Sequence, residues 1–158
     1  MSKLNKAGAA GAVCSVMVII GLVLSSGEVK TSQAGLELIG NAEGCRRDPY
    51  KCPADVWTDG VGNTHGVKPG VRKTDQQVAA DWQKNILAAE QCVNRYASGD
   101  KLLQGAFDAA VSITFNVGCT AMQKSTMFRL FRQGEMAAAC EQFPRWVYAG
   151  GVKLNGLV

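Results

Sequence analysis

Glu43 is followed at once by Gly44, which closes a stretch carrying Leu36, Ile39 and Ala42 at helical spacing. A carboxylate at the C-terminal end of a helix meets the negative pole of the helix dipole, so its proton is held more tightly. Burial in a cleft pushes the same way and yields a carboxylic acid still protonated near neutrality, as a general acid must be. The plain alternative is an exposed surface glutamate. Nine residues on stands Cys52, and six beyond it Thr58, which leads into Asp59-Gly60-Val61-Gly62. Cys52 also admits a second chemistry, a Cys–His amidase or peptidase with His65, the single histidine, although no third, orienting residue stands out. The cysteines number six (Cys14, Cys45, Cys52, Cys92, Cys119 and Cys140), with no Cys-x-x-Cys pair. With one histidine, that pattern speaks against zinc and against a thioredoxin-type centre, and no metal or cofactor is expected.

Thr31 or Ser32 is placed to cap the helix that ends at Glu43. Gly60, Gly62 and Gly66 punctuate Val56–Val67, which reads as a twisted hairpin or small sheet. Thr74 with Gln77 forms a capping box, and the helix it opens carries Val78, Trp82, Ile86, Ala89, Val93 and Tyr96 on one face. Leu102–Val117 reads as a second apolar helix, taken as the central one and ended by Gly118. Two short helices, Ser125–Arg132 and Glu135–Phe143, meet at Gly134. The expected fold class is α+β, a small sheet near the start followed by a helical body. Trp82 and Phe107 read as core rather than as sugar platforms, and so do Trp146 and Tyr148 near the chain end.

These elements occupy only part of the 158 residues. Ala7–Ser26 is a run of 20 residues without charge, 14 of them hydrophobic and the other six Gly or Ser. Twenty helical residues span about 30 Å, the hydrocarbon thickness of a bilayer. Lys3 and Lys6 precede the run, which keeps the N-terminus cytoplasmic and exports the rest. The run is weakly hydrophobic for a permanent anchor, so insertion is expected to be marginal and reversible. A retained segment is the first reading, a cleaved signal peptide the second and a buried helix of the soluble domain the third. The expected division is residues 1–27 as the membrane segment and 28–158 as the folded domain. From Gly27 onward there are 15 basic and 13 acidic residues, a balance too weak for nucleic acid to be the partner. An exported chain with an even cysteine count permits disulfides.

Glu43-Gly44, Tyr50, Cys52 and Trp57-Thr58 entering a Gly-x-Gly turn resemble the signature of phage endolysins, the lysozyme-like muramidases of glycoside hydrolase family 24. The resemblance continues through Ser112–Gly118 (SITFNVG), Ser125–Gly134 and Arg145–Val158, and so spans nearly all of Gly35–Val158. The Gly/Ala-rich N-terminus is similar to the signal-anchor-release segment of the exported subgroup. The resemblance implies a lysozyme-like fold and a monomer acting on the glycan strands of peptidoglycan, at the β-1,4 bond between N-acetylmuramic acid and N-acetylglucosamine, so that the host cell lyses. It further implies export by the host machinery and a tether in the bacterial inner membrane through residues 7–26. The catalytic domain then lies in the periplasm and is later released there.

The same resemblance implies roles for three residues. Glu43 is the general acid on the glycosidic oxygen, and Thr58 holds the attacking water or supports the reacting sugar face. Cys52 occupies the place of a second carboxylate, more commonly Asp, and as a thiolate serves as base or electrostatic partner. Asp48, Asp55 and Asp59 are rival carboxylates. A Cys45–Cys52 bridge consumes the thiol; if the N-terminal helix leaves the bilayer, Cys14 attacks that bridge, forms Cys14–Cys45 and frees Cys52. The other reading is a static Cys45–Cys52 staple with Cys14 idle. Cys92 and Cys119 are placed to pair, which leaves Cys140 over. Relatives continue past the LNGLV segment with a further helix, so a truncated product is expected. The alternatives are a lytic transglycosylase, the Cys52–His65 amidase, and an inactive peptidoglycan-binding remnant. Arg46-Arg47 is either an attractor for the anionic wall polymer or a solvated pair.

Overall fold

The computed structural model of the chain describes residues 12–51 and 56–144. It shows an α+β fold, a two-stranded antiparallel sheet beside a helical body. Helix α1 is Val16–Ser25 and α2 is Gln33–Glu43; strands β1, Arg46–Lys51, and β2, Trp57–Gly60, follow. Helix α3, Asp75–Ala97, leads through a short 3-10 turn, Gly99–Lys101, to α4, Gln104–Val117. Three short helices complete the order: α5, Cys119–Gln123, α6, Thr126–Arg132, and α7, Met136–Cys140.

Capping signals fix most of these boundaries. The Ser32 hydroxyl accepts from the Gly35 N–H to start α2, and Gly44, at φ 73°, ends it. Thr31 has a different task, because its N–H and hydroxyl both donate to the buried Glu90 carboxylate, at 2.8 and 2.6 Å. The capping box of Thr74 and Gln77 is present in full and opens α3, whose Val78, Trp82, Ile86, Ala89 and Val93 are buried.

Two expectations need correcting. The sheet does not lie within Val56–Val67: β2 pairs with the upstream strand β1, with Tyr50 opposite Thr58 and Arg46 opposite Gly60. The glycines after β2 instead make a tight turn in which Asp59 and Asn63 exchange backbone hydrogen bonds of 2.9 and 2.8 Å. The central helix is α3 rather than the one over Leu102–Val117: α3 packs against α1, β2, α4, α5 and α6. The latter helix starts later, at Gln104, after an exposed Leu103.

The apolar run expected over residues 7–26 forms α1, ten residues long, and the part before residue 12 lies outside the described residues. Ser15 interrupts the run, because its hydroxyl caps the Val18 N–H. Ile19, Ile20 and Val23 are fully buried against α2 and α3, so in this conformation α1 belongs to the core of the domain. No helix among the described residues is long and apolar enough to cross a membrane. Two buried carboxylates hold the link that turns the chain from α1 into α2. Glu90 accepts from the Lys30 and Thr31 N–H groups, and Asp108 accepts from the Ser32 N–H and hydroxyl and from Gln104.

Candidate active site

Glu43 is the last residue of α2, half-buried, and burial pushes its carboxyl above the usual glutamate range. The turn after β2 returns to it. A Cβ on Gly62 would lie 2.6 Å from Glu43 Oε2, and Gly62 has φ 65°, so glycine is required there both for the turn and for the close approach. From Gly62 a cavity of about 280 Å³ opens toward the helical body. Thr64 and His65 line it on the turn side, Asn85 on α3, and Thr114, Phe115 and Gly118 at the end of α4. Three residues of the Ser112–Gly118 motif therefore face the same space as the turn that meets Glu43.

The turn is held from below by a polar network among residues far apart in sequence. Asp59, fully buried, takes 2.8 Å from Asn63 Nδ2 and pairs at 2.9 Å with Lys73 Nζ. Lys73 also reaches Asp81 on α3 at 2.6 Å. Burial alone lowers the Lys73 ammonium pKa, but the hydrogen bonds it donates to Asp59 and Asp81 outweigh it and hold the group above the usual lysine range. Asn63 Oδ1 accepts from Asn85 Nδ2 at 3.0 Å, which ties the turn to the helix lining the cavity. Lys73, Asn63 and Asn85 are positioning residues that sequence reasoning did not single out. The one signal was Asp59 itself, a charge set between strand and glycine turn that had to find a partner if buried.

Of the residues named from sequence, Glu43 meets the turn at Gly62, which lines the cavity, and Thr58 lies buried on β2. The Thr58 hydroxyl donates to the Val56 carbonyl at 3.2 Å. Cys52 and Asp55 lie outside the described residues, as do Trp146 and Tyr148. Two rival carboxylates are engaged elsewhere. The hydrogen bonds from Arg72, at 2.6 and 2.8 Å, hold Asp48 below the usual carboxylate range, and Asp59 is buried in the Lys73 pair. His65 is exposed on the cavity wall, and its N–H donates to Asn63 Oδ1. Trp82 and Phe107 are core residues. The arginines divide: Arg46 is exposed and lies over the Tyr50 ring at 5.1 Å, whereas Arg47 is paired with Asp75 at 2.7 Å.

Two disulfides are present among the described residues. Cys14 is bonded to Cys45, two residues after Glu43, and both are buried. Cys92 on α3 is bonded to Cys119 at the start of α5, on the cavity wall, which leaves Cys140 free and exposed.

The phage lysozyme family profile matches residues 40–158. The SAR-endolysin of Escherichia phage P1 is 51% identical over 162 residues, covering 96% of this chain and 88% of the relative. The crystal structure of the active form of P1 phage endolysin superposes with a TM-score of 0.86 at 51% identity, covering 92% of this chain and 88% of that one. The secreted inactive form of the same endolysin, also 51% identical, gives 0.52 over 80% of this chain and 87% of that one.

Proposed function

The chain belongs to the phage lysozyme family, and from that membership we propose an endolysin whose acid is Glu43 and whose activity is switched by its cysteines. The substrate is the glycan of peptidoglycan, cut at the β-1,4 bond between N-acetylmuramic acid and N-acetylglucosamine. The observation that carries the reading is Glu43: a carboxyl raised in pKa by burial and packed against Gly62, which itself lines the cavity. Its proton goes to the glycosidic oxygen as the bond to the leaving sugar breaks, and charge builds on the ring as an oxocarbenium-like centre. Cys52 is assigned the second position, as a thiolate facing that charge. Thr58, whose hydroxyl hydrogen is directed to the Val56 carbonyl, offers its oxygen as an acceptor that orients water or the sugar face.

The active species is the protonated acid, so kcat/KM falls as pH rises through the raised pKa of Glu43. A Gln in its place is expected to lower kcat by about 10²–10⁴-fold and to abolish that alkaline limb. Wild-type turnover in Glu43→Gln would overturn the assignment. A second reading is favoured by one observation: the two rival carboxylates among the described residues, Asp48 and Asp59, are both engaged in ion pairs, and an acid acting without either of them also suits a lytic transglycosylase. Mass spectrometry of the digest decides between them, with reducing ends expected for hydrolysis and anhydro-sugars for transglycosylation.

The switch is supported by the Cys14–Cys45 bond and by the better match to an active than to an inactive relative. In this reading residues 7–26 tether an inactive enzyme in the host inner membrane after export. The catalytic domain lies on the periplasmic side, and Cys45 is bonded to Cys52. On release α1 folds into the domain, Cys14 takes Cys45, and Cys52 is freed. The free enzyme then acts in the periplasm.

A further inference from the structure

The disulfide Cys14–Cys45 is not the only link between the N-terminal segment and the site. Val13 bridges Arg46 in antiparallel fashion, and the Cys14 N–H donates to the Cys45 carbonyl at 3.2 Å. The segment therefore lies against the start of β1 through a single antiparallel bridge. The Val13 carbonyl is taken by a cation: Arg47 Nη1 donates to it at 2.8 Å. The other side of the same guanidinium donates to Asp75 Oδ1, from Nε at 3.1 Å and from Nη2 at 2.7 Å. Asp75 is the first residue of α3, and the Arg47 carbonyl accepts from the Lys73 N–H at 3.1 Å, so the arginine is anchored on both its backbone and its fork. Gly40 on α2 leaves room for Val16, the first residue of α1, where a Cβ would lie 2.6 Å from Val16 Cγ1.

We propose that Arg47, oriented by Asp75, is the positioning residue of the thiol–disulfide exchange: it grips the Val13 carbonyl and presents Cys14 to Cys45 before the sulfur bonds change. The inference rests on the switch proposed above and adds to it a docking step with its own residue. The exchange balances without an external oxidant. The Cys14 thiol gives its proton to solvent, the resulting thiolate attacks Cys45 Sγ, and the Cys14–Cys45 bond forms as Cys45–Cys52 breaks and Cys52 leaves as a thiolate. Attack on a disulfide needs the incoming sulfur in line with the bond it breaks, and a docked segment converts that search into a step within one complex. A planar fork suits the task, because one guanidinium meets the carboxylate and the carbonyl together, whereas an ammonium offers only a point charge.

The test uses full-length protein purified in detergent in its Cys45–Cys52 form and released by dilution. Samples are alkylated at intervals, and the Cys14–Cys45 peptide is quantified by mass spectrometry. Arg47→Ala is expected to slow its formation by about 10-fold or more, as loss of hydrogen bonds to a charged group does. Arg47→Lys and Asp75→Asn should slow it less. Once fully exchanged, every variant should cleave peptidoglycan with kcat/KM within about twofold of wild type, since the guanidinium contacts Asp75 and Val13 rather than the cavity. Exchange at the wild-type rate in Arg47→Ala overturns the positioning role and leaves the switch standing. An exchanged Arg47→Ala or Asp75→Asn protein that is inactive or unfolded also overturns it, because the residue would then be structural. Failure of the wild-type protein to form Cys14–Cys45 overturns the switch and the positioning role together.

Discussion

The two disulfides close loops of nearly equal length, with sequence separations of 31 and 27 residues, yet they join very different pairs of elements. Chain entropy alone gives each about 3–4 kcal/mol. Cys92–Cys119 ties α3 to the start of α5 within the helical body, between elements that also pack on each other. Cys14–Cys45 ties the segment before α1 to the residue that follows Glu43-Gly44. The outer faces of the joined helices differ as well. Helix α3 turns Gln83 and Lys84 outward, whereas α1 buries Ile19, Ile20 and Val23 but leaves Met17, Val18 and Leu24 exposed. Helix α3 is built for one environment, with an apolar inner face and a polar outer one. Helix α1 carries no charge on any face, which fits a segment that spends part of its life in lipid and part in a protein core. The comparison teaches that equal loop entropy does not mean equal function, because what differs is whether one end of the loop can be elsewhere.

The largest expected effect separates the two bonds. Cys14→Ser should leave exported protein with Cys45 still bonded to Cys52 and lytic activity down by about 10²–10⁴-fold, the range for loss of an acid–base partner. The Cys92→Ser/Cys119→Ser pair should retain activity and lose only about 3–4 kcal/mol of stability, read from denaturant unfolding. Activity unchanged in Cys14→Ser would erase the distinction between the two loops.

Next in size is Lys73→Met. It leaves Asp59 fully buried beneath the turn without the Lys73 cation, at a cost of about 3–5 kcal/mol in unfolding free energy. A loss under 1 kcal/mol would mean the turn is held by other contacts. Ile19→Ala probes whether α1 belongs to the core: thermal unfolding of the released enzyme should show about 2–5 kcal/mol lost. Met17→Ser, on the exposed side of the same helix, should fall within about 0.5 kcal/mol. Equal effects at the two positions would place α1 off the domain in solution.

Much of this was legible in the sequence where the cause is local. Ser32, Gly44 and the Thr74–Gln77 box set helix ends through bonds spanning three or four residues, and the pattern of the chain shows them directly. Strand β1 was not legible, because Arg46–Lys51 is charged and contains Pro49 and takes its extended form from pairing with β2. The network of Asp59, Asn63, Lys73, Asp81 and Asn85 was hidden for a similar reason, since its members meet only in three dimensions. Helix α1 shows a third kind of limit. Its composition correctly marks it as apolar, but hydrophobic content cannot distinguish a lipid environment from a core lined by Trp82 and Ile39. For Glu43 the inference from burial agrees with the raised pKa, and the close approach of Gly62 supplies the contact that no spacing rule contains.

The most direct measurement follows disulfide state and catalysis in one sample. Protein released from membranes is sampled over time, the Cys14–Cys45 and Cys45–Cys52 peptides are quantified, and peptidoglycan cleavage is assayed on each sample. Cleavage rate is expected to rise in proportion to the Cys14–Cys45 fraction and to extrapolate to zero where Cys45–Cys52 is intact. Full cleavage by protein that still carries Cys45–Cys52 would contradict the switch.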